Sequence, residues 1–470
     1  MNRAASTPNP LSALERVHHW WNRLTASVFP GIGADGDAET ARIVRHLKPL
    51  LDESRASRGG EAATLERARR IAAIYRAAET PQRIAILNLV TREFAPDREA
   101  LERAIAAIRA ADDDAELSRA EARLRIALDA PRARFLMQFN LLPDGVKFLV
   151  DLRADLLAAL GREPALEVLK VEIDGLLESW FDPGFLELRR ITWQSPALVL
   201  EKLMAGEAVH PIESWSDLRN RLDADRRCYA FFHPRLPDEP LIFVEIALSK
   251  GLPGNVQLLL DQGAPLQDPL AADTAVFYSI SNTQKGLRGI SFGDLLLKRV
   301  IEDFRHDLPR IQVFATLSPM PGFRKWLEKA LAGNTTVLPE ADAARIAETT
   351  GLQQPPGAAL ADMLARPDWP ADARLVSALR EPMVKLAAHY LLQEKSGNQP
   401  LDPVAQFHLN NGAQVSRIFW LADASPRGMR QSYGVMASYR YDLAEVEENH
   451  ERFVHDGYVA AARRVHRLLN

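Results

Sequence analysis

Apolar residues in the first 180 positions recur every three or four places, the spacing that stacks side chains on one face of a helix. Leu65, Ala68, Ala72 and Tyr75 form one stripe, and Leu101, Ile105 and Ile108 a second. Leu149, Leu152, Leu156 and Leu160 form a third, and Leu166, Leu169, Ile173 and Leu177 a fourth. Breaks at Gly59-Gly60, Ala95-Pro96-Asp97 and Pro143-Asp144-Gly145 are long enough to reverse the chain, and Gly161 suits a helix C-terminus. The pattern predicts an antiparallel helical bundle over residues 1–180. The charged run Ala111 to Glu116 reads as a solvated turn and helix start.

At Trp180-Phe181-Asp182-Pro183-Gly184 the pattern changes to short β-branched and aromatic runs, which places a domain boundary there and a second domain over 181–470. Cys228 to His233 and Leu241 to Leu248 read as strands joined by a Pro-rich connection that neither could absorb into a ladder. Ala275 to Ser281 is a third strand, followed by a loop from Asn282 to Gly293. A helix from Asp294 through Phe304 then turns Leu297, Val300, Ile301, Phe304 and Leu308 inward, and Ile311 to Leu317 is a fourth strand. Helix resumes at Phe323 and continues in segments to about 390, while Phe407 to Tyr441 mixes strand and turn signals.

Composition narrows the class. Among 470 residues, 47% are hydrophobic and 26% charged, the balance of a globular chain of two or three domains. A net charge of -4 argues against a protein built to coat nucleic acid or an anionic membrane. Apolar runs long enough to span a bilayer are absent, so integral membrane association is not expected. The lone Cys228 can form no internal disulfide and no CxxC metal pair, and His18-His19 and His389 have no carboxylate or imidazole at ligand spacing, so no metal is assigned. The segment Met1 to Ser27 is faintly like a transit peptide but reads better as a first core helix.

Three segments could carry chemistry. Gln284 to Gly293 lies between a strand and a helix and contains Gly286, Gly289 and Gly293, with Asp294 available as cap. Such a loop lets the backbone approach a ligand and aims helix N–H groups at a phosphate, with Lys285 and Arg288 adding charge. The spacing is neither GxxxxGK[ST] nor GxGxxG, which leaves the pyrophosphate of another ligand class, or a plain flexible loop. Ser318 ends a strand and precedes a proline, which is above all the pattern of a helix cap, while its place at the carboxyl end of a strand beside the glycine loop also suits an active-site hydroxyl. His408 sits among turn formers in Phe407-His408-Leu409-Asn410-Asn411-Gly412.

Taken together, FVEIALSKGLPGN (243–255), FYSISNTQKGLRGISFGDLLLKRV (277–300), FATLSPMPGF (314–323), DPVAQFHLNNGA (402–413) and YGVMASYRYDL (433–443) resemble malonyl-CoA decarboxylases, in the same order. The resemblance spans about 150 to 445, including WFDPGFLELRRITWQSPA (180–197). It implies an α+β protein: an N-terminal helical bundle that mediates oligomerisation, then a catalytic domain similar to the CoA-dependent N-acetyltransferase (GNAT-like) fold. The implied reaction is decarboxylation of malonyl-CoA to acetyl-CoA and CO₂ without biotin, metal or other cofactor, by a homo-oligomer, dimer or tetramer. Carried over position by position, Arg288, Gly289, Ile290, Ser291, Phe292, Gly293 and Asp294 bind CoA, joined by Lys285 and Gly286 of the same loop. Ser318 is the catalytic serine, His408 the catalytic histidine and Tyr441 a supporting tyrosine; the chemistry then makes His408 the proton donor to carbon, because imidazole titrates nearest physiological pH, and has Ser318 orient the carboxylate or relay the proton. Ser291 stands where some relatives carry an acidic residue, and the ending Arg467-Leu468-Leu469-Asn470 lacks the peroxisomal tripeptide of animal members, which favours the cytoplasm. A CoA-dependent acyltransferase on the same fold and a non-catalytic acyl-CoA sensor are the rival readings.

Overall fold

The computed structural model describes residues 34–56, 59–128, 131–290, 293–332, 342 and 356–469. Two compact units result: Met1–Trp180 with Lys285–Leu287, and Phe181–Gln284 with Arg288–Asn470. The organisation is α+β, as expected, with a helical unit followed by one built on a mixed sheet. The expected first helix within Met1 to Ser27 lies outside the described residues.

The helical unit runs through Ala34–Arg55, Glu61–Ala77, Thr80–Glu93, Arg98–Arg109, Asp114–Leu128, Pro131–Met137, Gly145–Ala159 and Glu167–Trp180. Leu149, Leu152, Leu156, Leu166, Leu169, Ile173 and Leu177 are all buried, each contributing about 1.5–3 kcal/mol of transfer free energy. An aromatic run fills the space beside them: Phe94 stacks on Phe135 at 4.3 Å, and Phe139 lies 5.3 Å from Phe135 and 4.7 Å from Phe148. The second stripe behaves differently. Helix Arg98–Arg109 buries Ala104, whereas Leu101 and Ile108 are half-covered and Ile105 is 36% exposed. The turn Lys285–Leu287 completes this unit: Leu287 is buried, and Arg153 Nη1 donates to the Gly286 carbonyl at 2.6 Å. Any side chain at Gly286 would sit 1.7 Å from the Val150 carbonyl oxygen, so this glycine serves close packing.

The second unit is organised on β1 (Glu187–Ile191), β2 (Arg226–Phe232), β3 (Ile242–Ser249), β4 (Thr274–Asn282), β5 (Val313–Thr316), β6 (Ser318–Pro319), β9 (Gln414–Phe419) and β10 (Met436–Tyr441). A two-residue pair, β7 (Lys395–Ser396) and β8 (Gln399–Pro400), forms a separate hairpin. Strand order in the large sheet is β1-β2-β3-β4-β5-β10-β6, with β9 also on β10; β4 and β5 are parallel, and the remaining pairs are antiparallel. The central strands β2, β3 and β4 are buried along almost their whole length, as in a sheet covered on both faces. Helix Gly293–Asp307 buries Leu297, Val300, Ile301 and Phe304 as the spacing predicts. No helix among the described residues is long and apolar enough to cross a membrane.

Three expectations are corrected here. Ser318 does not cap a helix: it pairs with Ala437 in β6, and the following helix starts at Phe323. His408 lies in a helix, Pro403–Asn410, rather than in a turn; Asp402 caps it by accepting from the Val404 and Ala405 amides, with proline at the first turn. Asp294, expected as a cap, is the second residue of its helix.

Candidate active site

The site originates in a divergence of two parallel strands. Pairing of β4 with β5 runs from Thr274–Val313 to Phe277–Thr316, and the Leu317 amide donates to the Phe277 carbonyl at 3.0 Å. Beyond that rung β4 continues to Asn282, while the other chain turns into β6 on β10. A bulge where β4 meets Glu245 and Ile246 of β3 takes Tyr278 out of one-to-one pairing at the same level. The parting strands open a cavity of about 480 Å³, lined by Tyr278 and Ser279 on one side, Ser318 and Pro319 on the other, and Phe407 and His408 from the helix. That volume lies within the range of small-molecule sites, and the carboxyl ends of parallel strands are where open sheets gather ligands.

Two side chains from distant parts of the sequence, Ser318 and His408, meet on its wall, and Tyr441 backs the histidine from behind. His408 Nε2 lies 3.0 Å from Ser318 Oγ, and His408 Nδ1 lies 2.7 Å from the Tyr441 hydroxyl. Ser318 Oγ donates to Thr316 Oγ1 at 2.9 Å, and Thr316 Oγ1 also accepts from the Tyr439 amide at 3.0 Å. With the serine proton directed at Thr316, Ser318 Oγ must accept from His408, so Nε2 carries the imidazole proton and Nδ1 accepts from Tyr441. The polarity is then Tyr441 to His408 to Ser318 to Thr316. The Tyr439 ring stacks on the imidazole at 4.4 Å and 24°, which fixes its plane; residues 439 and 441 share a strand face because side chains alternate. Burial disfavours the imidazolium and pushes the His408 pKa down to about 3, so the ring is neutral at physiological pH.

The supports explain the motifs. A side chain at Gly322 would lie 2.3 Å from the Tyr390 hydroxyl, which itself donates to Asp402 at 3.4 Å. The turn after Ser318 and the cap of the His408 helix thus close on the same tyrosine. Asp402 is fully buried, and burial raises its pKa to about 6 against the amides that favour its charge. Gly412, at φ +74, ends the segment where an added carbon would lie 2.0 Å from the Val446 carbonyl oxygen. Behind the opposite wall, the Glu207 carboxylate accepts from Ser279 Oγ at 2.7 Å and Ser281 Oγ at 3.2 Å, holding the upper part of β4.

The glycine loop is divided. Gly289, at φ +85, and Ile290 line the cavity, and Arg288 is exposed. Lys285 and Gly286 belong to the helical unit, where Gly286 faces Val150. Ser291 and Phe292 lie outside the described residues; Gly293 and Asp294 open the helix. Thr316, Tyr439 and Asp402 escaped the sequence reading. The first two look like ordinary strand residues, but Asp402-Pro403 is a recognisable helix start. Among the described residues, no group of three or more His, Cys, Asp or Glu is arranged to hold a metal ion.

Comparison with known proteins adds an independent line. Residues 94–181 match the family model for the malonyl-CoA decarboxylase N-terminal domain, and residues 184–470 match that for the C-terminal domain. The mitochondrial malonyl-CoA decarboxylase of Anser anser anser is 36% identical over 98% of this chain and 94% of its own length, and that of Rattus norvegicus is 37% identical over 83% and 82%. The crystal structure of malonyl-CoA decarboxylase from Rhodopseudomonas palustris is similar with a TM-score of 0.81 and 41% identity, covering 91% of this chain and 99% of that one. The Agrobacterium vitis structure gives 0.81 and 38%, covering 90% and 100%. Matched along both units by sequence and by backbone, the chain belongs to the malonyl-CoA decarboxylase family.

Proposed function

We propose that this protein is a lyase that converts malonyl-CoA to acetyl-CoA and CO₂ in the cavity between β4 and β6, using the protein's own side chains. The observation that carries the mechanism is a buried His408 on the cavity wall, held between Tyr441 and Ser318. The carboxylate of malonyl-CoA is β to a thioester carbonyl, so the electrons of the breaking C–C bond delocalise onto the thioester oxygen. The substrate is its own electron sink, and the reaction consumes one proton. The enzyme has to hold that C–C bond perpendicular to the thioester plane and deliver the proton to carbon.

In this reading Ser318 turns its hydrogen from Thr316 to the substrate carboxylate, orients it, and keeps accepting from His408 Nε2–H. As CO₂ leaves, that contact disappears and the Nε2 proton passes to the enolate carbon. Nδ1 takes the Tyr441 proton as Nε2 loses its own; after CO₂ has left, solvent entering the cavity supplies the consumed proton to Nε2 and Nδ1 returns its proton to Tyr441, which restores the starting tautomer. A thioester enolate carbon is a much stronger base than phenolate, so an imidazolium is not required. Gly289 and Ile290, with Arg288, Ser291, Phe292 and the helix start at Gly293–Asp294, are assigned to the CoA end, where backbone amides suit a diphosphate. A cytoplasmic location, a role in fatty acid metabolism and self-association through the helical unit belong to the same proposal; cell fractionation and sedimentation test the first and last.

The test is release of acetyl-CoA from malonyl-CoA by purified protein and by His408→Asn and Ser318→Ala. Each substitution is expected to lower kcat by about 10² or more while acyl-CoA binding changes much less. Wild-type turnover in both variants would remove these residues from the mechanism. Binding of malonyl-CoA without CO₂ release would favour a sensor, and acetyl transfer to an added amine the acyltransferase reading.

A further inference from the structure

We propose that Thr316 is a positioning residue that sets the direction of the proton chain, by giving the Ser318 hydrogen an acceptor other than His408. This rests on the reading of His408 as proton donor. The hydroxyl of Ser318 has one hydrogen and two neighbours that could take it, Thr316 Oγ1 at 2.9 Å and His408 Nε2 at 3.0 Å. The two choices have opposite consequences. Donation to Thr316 leaves Nε2–H facing the serine and the cavity; donation to Nε2 moves the imidazole proton to Nδ1, toward Tyr441, and leaves no N–H at the reacting end.

Thr316 is suited to win this competition. It is fully buried, and its oxygen is held by the Tyr439 amide at 3.0 Å, so it stays in place while Ser318 turns. Tyr439 in turn stacks on the imidazole, so the acceptor and the ring are fixed by one residue of β10. Tyr441 acts from the other end, because a phenol donating to Nδ1 is compatible only with the tautomer protonated at Nε2. Threonine supplies both the acceptor oxygen and the volume here; valine would keep the volume and remove the oxygen.

The experiment reads the histidine tautomer and the kinetics separately. In ¹⁵N-histidine-labelled full-length protein without substrate, the His408 signals are assigned by their loss in His408→Asn. The wild type is expected to show protonated Nε2 and bare Nδ1, and Thr316→Val the reverse, with Thr316→Ser restoring the wild-type pattern. Thr316→Val is expected to lower kcat by roughly tenfold or more, with KM changed less than about twofold. In a Ser318→Ala background the same change is expected to have no further effect on kcat. A wild-type ring protonated at Nδ1 overturns the proposal even if Thr316→Val fails to fold. So does Thr316→Val with an unchanged tautomer or unchanged kcat, or an equal loss in the Ser318→Ala background, which would mark a packing role. If the tautomers behave as expected but wild-type protein releases no acetyl-CoA, the proposed activity fails and the assignment of Thr316 stands.

Discussion

A histidine that donates a proton while neutral leaves a distinctive mark on pH dependence. His408 is enclosed without a neighbouring carboxylate to favour its charge, and burial moves it from 6.5 to about 3. At pH 5 an ordinary imidazole would be about 97% protonated, whereas this one is about 1% protonated. We therefore expect kcat for acetyl-CoA release to stay flat between about pH 5 and 8, measured chromatographically so that no coupling enzyme imposes its own profile. Stability carries the second signature. Above 6.5 the ring is neutral in both folded and unfolded chains; as pH falls from 6.5 toward 3, the unfolded chain binds a proton that the folded one refuses. Stability is lost over that window at about 1.4 kcal/mol per unit, or about 2 kcal/mol by pH 5. Buried His210, lowered to about 4, acts in the same direction, so the comparison must be with His408→Asn rather than with an absolute value. Urea titrations at pH 7 and pH 5 should show the wild type losing about 2 kcal/mol more than His408→Asn. Equal losses, or a kcat that rises as pH falls through 6.5 and loses that limb in the variant, would refute the neutral-donor argument.

Further substitutions separate the parts of the site. Tyr441→Phe leaves His408 Nδ1 without its donor in a buried place; we expect about 1–3 kcal/mol lower stability by chemical denaturation and kcat reduced about 10², with KM little changed. Gly322→Ala places a carbon 2.3 Å from the Tyr390 hydroxyl and should cost about 1–3 kcal/mol in a denaturant titration, partly recovered by adding Tyr390→Phe. No recovery would mean that the strain lies elsewhere. Arg288→Ala is expected to raise KM for malonyl-CoA with kcat near wild type, since a phosphate contact is the same in ground and transition states; an unchanged KM would detach Arg288 from the CoA end.

Local periodicity carried much of the fold into the sequence, and where it misled the reason is physical. Leu149, Leu152 and Leu156 were legible because one face of one helix meets the core. Leu101, Ile105 and Ile108 have the same spacing, yet their helix packs chiefly on Asp114–Leu128 and leaves Ile105 exposed, because spacing defines a face without naming what covers it. The helix of His408 is eight residues long, too short for a periodic signal, and the turn formers at its end masked the cap at its start. Ser318 and His408 could be singled out along the chain, and Tyr441 only through the family resemblance; their meeting depends on β6 and β10 pairing at Ser318–Ala437, a register that no local pattern encodes. Thr316 was invisible for a related reason: threonine is a common strand residue, and its hydroxyl becomes meaningful only beside Ser318 and Tyr439.

The membership of Lys285–Leu287 in the helical unit bears on how the chain is made. A ribosome that has emitted the first 180 residues has not yet supplied Leu287 or the Gly286 carbonyl that Arg153 holds. At typical elongation rates the missing turn follows roughly 5 to 20 s later, and until then Arg153 lacks one of its buried acceptors. Cleaving the gene at the boundary near residue 180 would make that wait permanent, so the amino-terminal half is expected to be a poorer autonomous folder than its regular helices suggest.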